Sequence, residues 1–205
     1  MLNKARESYR AEAMAGRGGR AVQAAYAQAM DDLVRRIAAR ASAETHEPWV
    51  VAALGGYGRR TLCLHSDVDL LIVFDRTIGP SEERFINAIL QPLWDLKLTV
   101  GHHIRELAEF EGLADPNPEF DMALCDLRLL TGDVHLFDQV CAFSHCADNE
   151  RAAHLMSSLL PLIEERYAEF NDTVYQLEPD IKKAPGGLRD IAAIRLLRVL
   201  ARGVL

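Results

Sequence analysis

The stretch that most constrains this chain runs from residue 54 to 74 and reads Leu-Gly-Gly-Tyr-Gly-Arg-Arg-Thr-Leu-Cys-Leu-His-Ser-Asp-Val-Asp-Leu-Leu-Ile-Val-Phe. A glycine pair, Gly55-Gly56, ends one apolar run. Two aspartates one residue apart, Asp67 and Asp69, open the next. At i and i+2 of a strand, both carboxylates leave the same face. Two carboxylates side by side repel unless a cation lies between them. Hard divalent ions such as Mg²⁺ (or Mn²⁺) take oxygen donors of this kind together with triphosphate oxygens. A glycine turn lets backbone approach a phosphate closely, because no Cβ intervenes. The spacing therefore suits metal-assisted nucleotidyl transfer, with Asp67 and Asp69 as metal ligands and catalytic carboxylates.

The 205 residues suffice for one substantial domain, or one domain with a helical extension. Hydrophobic residues make up 49% and charged residues 26%, as in ordinary globular proteins. A net charge of −7 argues against a general nucleic-acid binder, which would be basic. It leaves a nucleotide site open, since local charge decides that. No apolar run approaches the length of a membrane span, and the N-terminus lacks the pattern of a secretory signal. Cys63, Cys125, Cys141 and Cys146 form no C-x-x-C pair. They read as buried free thiols in a reducing cytoplasm.

Periodicity gives an α+β layout. Residues 1–15 are Ala-rich and read as helix, broken at Gly16-Arg17-Gly18-Gly19. Val22, Tyr26, Met30, Leu33 and Ile37 recur at helical spacing, for an amphipathic helix ending near Ser42. Strands are expected over 49–54, 68–74 and 98–105, the second apolar enough to be a buried central strand. A helix with Ser81 as N-cap follows the second strand. Downstream, helices are expected over 120–130, 134–143, 152–175 (interrupted at Pro161) and 188–201. The layout is a helical region over 1–46, a core with a small mixed β-sheet and flanking helices over 47–115, and an α-helical segment over 116–205. Ile191, Ile194, Leu197 and Leu200 give the last helix an apolar stripe, expected to fold back on the helical segment or to mediate self-association. The chain is expected to be part of a longer protein.

The pattern Gly-Gly-x-Gly-Arg followed by Ser-Asp-x-Asp-Leu resembles the nucleotidyltransferase domain of the DNA polymerase β-like superfamily. Within it, the chain is most similar to the bacterial uridylyltransferase/uridylyl-removing enzymes that modify the PII protein. That likeness is carried further by Leu93-Trp94-Asp95-Leu96 with Val100-Gly101-His102, by Asp126-Leu127-Arg128-Leu129-Leu130-Thr131-Gly132, and by Leu177-Glu178-Pro179-Asp180-Ile181-Lys182 with Pro185-Gly186-Gly187-Leu188-Arg189-Asp190-Ile191. It extends from about Trp49 to Ile194. The resemblance implies a nucleotidyltransferase core, UTP and Mg²⁺ in the site, PII as acceptor, and transfer of UMP to a tyrosine hydroxyl with release of pyrophosphate.

Beside the two aspartates, Gly55 and Gly56 are expected to aim backbone N–H groups at nucleotide phosphates, the alternative being a purely structural turn. Ser66 can contact a phosphate or metal-bound water, or close a local turn. Arg59 can stabilise charge on leaving pyrophosphate, or be a solvated arginine. Lys182 and Arg189 flank Pro185-Gly186-Gly187 and can reach a nucleotide phosphate or the protein acceptor; a structural hinge is the plain alternative. The superfamily often supplies a third carboxylate from a later strand. Here the third strand carries His102 and His103 and no acid before Glu106, and Asp121 and Asp126 fall in a segment read as helix. The third ligand is left open. No His is followed by Asp, the pair that marks the removing domain of the resembled enzymes, so no uridylyl-removing activity is expected of this chain. Two other readings fit the same residues: transfer of another nucleotide or to another acceptor, and a non-catalytic nucleotide- or partner-binding module.

Overall fold

A computed structural model describes residues 2–111, 117–145, 149–171, 173, 175, 178 and 180–203. Cys146, Leu177, Pro179 and the junction at 115–116 lie outside these residues, as do the side chains of His145, His154 and Leu200.

The chain begins with helices α1 (Leu2–Met14) and α2 (Arg20–Ala41), followed by a 3₁₀ turn at Ser42–Glu44. Strand β1 (Trp49–Ala53) leads into a single helical turn, α3 (Gly55–Gly58), and then into β2 (Val68–Phe74). Helix α4 (Pro80–Asp95), β3 (Val100–Glu106) and the short α5 (Leu107–Glu111) follow. After α6 (Pro118–Leu124) come β4 (Arg128–Gly132), α7 (Val134–His145), α8 (Asn149–Ala168) and α9 (Leu188–Gly203). The fold is mixed α+β, as the periodicities indicate.

Four strands form one mixed sheet in the order β3-β2-β1-β4. β1 runs antiparallel to both β2 and β4, and β2 runs parallel to β3. Alternation along β2 sorts its residues. Val68, Leu70, Ile72 and Phe74 join Val51 and Ala53 in a core shared with Met30 and Val34 of α2 and Phe85 and Ile89 of α4. Leu71 and Val73, on the other face, are buried too, so β2 is the central strand that its apolar run implied. Fully burying each such side chain is worth ~1.5–3 kcal/mol. Trp49 and Phe74 both pack on Phe85, with ring centroids 4.7 and 5.7 Å away. Helix α1 is fixed to α2 by the edge-to-face pair Tyr9–Tyr26.

Two local expectations are corrected. The helix read over 120–130 ends at Leu124, and Arg128–Gly132 is a strand. The β1–β4 register shifts between Val51 and Ala52: Val51 pairs with Thr131 and Ala52 with Leu129. Leu130 is the extra residue of this bulge, and its carbonyl accepts a hydrogen bond from Arg35 Nε of α2 at 2.9 Å. A bulge breaks the period-2 alternation from which a strand is recognised. The second correction is the start of α4. Pro80 takes the first helical position and Gly79 is the N-cap. Ser81 instead lies inside the helix, its Oγ donating to Glu82 Oε1 at 2.7 Å.

The chain divides into two compact units, residues 1–112 with 126–141, and residues 113–125 with 142–205. In the second unit α8 continues through Pro161 to Ala168. Helix α9 folds back on α6 and α8, but by another face than expected. Ala193 and Leu196 are buried with Leu159 against Met122, Cys125 and Ile163. Ile191 and Ile194 are 47% and 62% exposed. Among the described residues, no helix is long and apolar enough to cross a membrane.

Candidate active site

The first unit brings the glycine turn and Asp69 together. The backbone N–H of Leu54 donates to the Asp69 carbonyl at 3.0 Å, which ties the end of β1 to the start of β2. The chain then turns at Gly55 with φ +51°, a left-handed conformation that costs glycine little. A Cβ on Gly55 would lie 3.8 Å from Asp69 Oδ2, so turn and carboxylate are neighbours. The Gly55 carbonyl accepts from Arg59 N–H at 3.0 Å. That of Gly56 accepts from Thr61 N–H at 2.9 Å and Thr61 Oγ1 at 3.0 Å. These bonds close the turn on its carbonyl side. The N–H groups of Gly55, Gly56 and Tyr57 head a helical turn and find no acceptor within it.

Asp69 sits on the face of β2 opposite the α2–α4 core. Its partner across the parallel pair is Gly101. A Cβ there would come 2.3 Å from Asp69 Oδ1, so the carboxylate occupies the space that any other side chain would fill. Asp67 precedes the strand by one residue. The spacing argument did not single out Gly101; the signal was a glycine inside a strand, which marks a close approach.

Ser66 closes a local turn. Its Oγ accepts from Cys63 N–H at 3.0 Å, and its own N–H donates to the Cys63 carbonyl at 3.2 Å. Arg59 is ion-paired with Asp126, which lies in the turn after α6. The guanidinium stays beside the glycine turn, with Nη2 3.9 Å from the position of a Cβ on Gly56. On β3, His103 shares the face of Asp69 by register, whereas His102 falls on the other face and meets Trp94 edge-on at 6.1 Å. Burial, then the charges of Arg105 and His102, hold the His103 imidazole below its ordinary pKa.

Two family models match the chain. One is described as GlnD PII-uridylyltransferase and matches residues 154–204. The other, putative nucleotidyltransferase DUF294, matches residues 3–99. Curated relatives are bifunctional uridylyltransferase/uridylyl-removing enzymes. That of Bordetella avium (strain 197N) is 38% identical over 167 residues, 82% of this chain and 18% of that protein. That of Methylococcus capsulatus is 37% identical over 144 residues, 70% of this chain and 16% of that protein. That of Gluconobacter oxydans (strain 621H) is 35% identical over 183 residues, 87% of this chain and 19% of that protein. The chain belongs to this uridylyltransferase family. It spans less than a fifth of the length of these relatives. One solved structure, described as a toxin-antitoxin with AMP-PNP, matches 71% of this chain and 98% of its own at 12% identity. Its TM-score of 0.37 is too low to bear on fold or function.

The site residues expected from the sequence fall in both units. Lys182 and Arg189 belong to the second, Lys182 in the turn that leads into α9 and Arg189 in the first turn of that helix. The Asp180 carboxylate accepts the N–H groups of Lys182 and Lys183 at 2.8 and 2.9 Å, and these bonds hold its pKa below the ordinary carboxylate value. Lys182 is exposed, and Arg189 Nη1 donates to Glu119 Oε1 at 2.6 Å. Asp190 takes hydrogen bonds from Arg166, from the Tyr167 hydroxyl at 2.8 Å and from Gly186 N–H at 2.5 Å. Burial pushes its carboxyl up, yet these donors together hold it below its ordinary value.

The aspartates of this candidate site have the donor chemistry that a divalent cation takes. Asp67 and Asp69 are hard oxygen donors from i and i+2. Among the described residues, no three His, Cys, Asp or Glu side chains gather as a metal-holding group. A Mg²⁺ ion held by two protein carboxylates, with phosphate oxygens and water completing its shell, is the usual arrangement at phosphoryl-transfer sites.

Proposed function

We propose that this chain is the transferase segment of a PII-modifying enzyme. In this reading it moves UMP from UTP to a tyrosine hydroxyl of the PII signalling protein and releases pyrophosphate, in nitrogen regulation. The observation that carries the proposal is the closeness of the Gly55 turn to Asp69 at the start of a buried strand. Kinship with the uridylyltransferase/uridylyl-removing enzymes supports the choice of nucleotide and acceptor.

Asp67 and Asp69 would hold Mg²⁺, which would supply charge neutralisation of the triphosphate. The N–H groups of Gly55 and Gly56 bind phosphate oxygens and fix the chain of phosphates against the turn. The phenolic oxygen of the acceptor bonds to the α-phosphorus, the bond from that phosphorus to the bridging oxygen breaks, pyrophosphate departs, and the phenolic proton is released. Arg59 exchanges Asp126 for the departing pyrophosphate and stabilises its charge. Ser66 keeps the segment leading to Asp67 in register through its bonds to Cys63. Lys182 and Arg189 serve the acceptor or the nucleotide from their own unit. With no His-Asp pair in its sequence, the segment is expected to transfer and not to remove.

The test follows pyrophosphate and labelled PII together in the presence of UTP and Mg²⁺. The proposal expects the two products in equal amounts and no turnover in excess chelator. Release of inorganic phosphate alone, or turnover undiminished by chelator, overturns it.

A further inference from the structure

The glycine turn has a front and a back, and the carbonyls at its far end are held by Arg128. Arg128, the first residue of β4, spends its guanidinium on three groups at once. Nε donates to the Gly58 carbonyl at 2.9 Å, and Nη2 to the Tyr57 carbonyl at 3.1 Å. Nη1 and Nη2 also donate to Asp31 Oδ2 and Oδ1 at 2.8 and 3.0 Å. The guanidinium carbon lies 5.5 Å from the centre of the buried Tyr57 ring. Asp31, in α2, is fully buried. The turn thus has its last carbonyls gripped by a cation, while its first residue, Gly55, neighbours the Asp69 carboxylate.

Stability alone does not account for this arrangement. A buried ion pair can be replaced by apolar side chains of similar volume with little or no loss of stability. What apolar side chains cannot do is hold two carbonyls in fixed directions. A guanidinium can, because its donors form a rigid planar fork, and a lysine ammonium cannot reach all these acceptors together. The bidentate carboxylate of Asp31 fixes the orientation of the fork.

We propose that Arg128, oriented by Asp31, is a positioning residue for the nucleotide: it sets the direction of the Gly55 and Gly56 N–H groups by anchoring the far end of their turn. The inference rests on the nucleotidyltransferase reading above.

Two variants of the full chain test it, Arg128→Lys, which keeps a charge opposite Asp31, and the paired Asp31→Leu/Arg128→Met, which leaves neither charge unpaired. Each is checked by circular dichroism and thermal melting, then titrated with Mg²⁺–UTP in the absence of acceptor. Both should fold cooperatively, bind Mg²⁺–UTP at least about tenfold more weakly, and exchange the amide hydrogens of residues 55–58 at least about tenfold faster without nucleotide. A purely structural role would lower the melting temperature and leave nucleotide affinity and local exchange alone. Folded variants that bind within about twofold of the unmodified chain overturn the inference. Loss of the fold in both variants also overturns it, since Arg128 would then serve the fold as a whole. If the unmodified chain binds no nucleoside triphosphate with Mg²⁺, the functional reading fails first and the inference falls with it.

Discussion

The carboxylate of Asp69 rests against Gly101 on the neighbouring parallel strand, filling the space where a Cβ would come 2.3 Å from Oδ1. The contact joins the two strands at the point where a divalent cation is expected. It also separates stability from activity. An alanine at 101 can be accommodated by swinging the carboxylate away, at a cost of about 1 kcal/mol. The swing removes a metal ligand from its place. Gly101→Ala should therefore keep its fold and lose nucleotidyl transfer by at least about 100-fold. Parallel denaturant melts and turnover assays check both halves, and near-full activity in a folded variant would contradict the placement of Asp69.

Asp67→Asn and Asp69→Asn keep side-chain size and remove the charge that holds the metal. Each should lower transfer by at least about 100-fold, as direct ligands should cost no less than the groups behind them. Circular dichroism should be unchanged. Retained activity, or a loss explained by unfolding, counts against the metal role.

Sequence pattern pointed to the front of this candidate site and hid its back. The carboxylates at i and i+2, the glycine pair and the apolar run of β2 are local features, and local features are what periodicity reads. Strand β4 was hidden because the bulge at Leu130 breaks its alternation and because its pairing with β1 joins residues far apart in sequence. Asp31 lay in plain view between Met30 and Val34, a charge within a buried helical stripe. Its partner Arg128 is contributed by β4, so no spacing rule connects them. The same limit applies to Arg59 and Asp126. On α9, spacing alone chose Ile191 and Ile194, while the fold buries the neighbouring stripe through Ala193 and Leu196.

Removing one partner of the Asp31–Arg128 pair leaves the other charge stranded. Asp31→Ala should destabilise the chain by about 3–5 kcal/mol, because Arg128 would lose both of its bonds to a fully buried carboxylate. Chemical denaturation of the two proteins side by side measures the difference. A loss below about 1 kcal/mol would place the pair among surface ion pairs.

Glu82 gives the fold an acid-sensitive contact. It is 4% exposed at the start of α4, and its carboxylate accepts from Thr45 Oγ1 at 2.7 Å, Ser81 Oγ at 2.7 Å and Gly79 N–H at 3.0 Å. These bonds, that of Thr45 foremost, lower its pKa from 4.5 to about 2. A depressed folded-state pKa stabilises above the unfolded value, and the contribution is lost as pH falls through the folded one. Glu82→Gln should cost about 2 kcal/mol at neutral pH. The stability gap between variant and unmodified chain should narrow as pH drops from 4.5 toward 2. A gap that stays constant through this window would show that the carboxylate charge is not what these donors hold.

Metal-dependent nucleotidyl transfer is proposed to rest on this segment's own carboxylates and glycine turn. Its most direct test is incubation of the purified chain with PII protein, Mg²⁺ and each of the four α-labelled ribonucleoside triphosphates in turn, with Asp69→Asn as control. Label on PII is expected from UTP, at a low rate, and none from the Asp69→Asn chain. Label that appears equally with the Asp69→Asn chain, or no label on PII from any nucleotide, would contradict it.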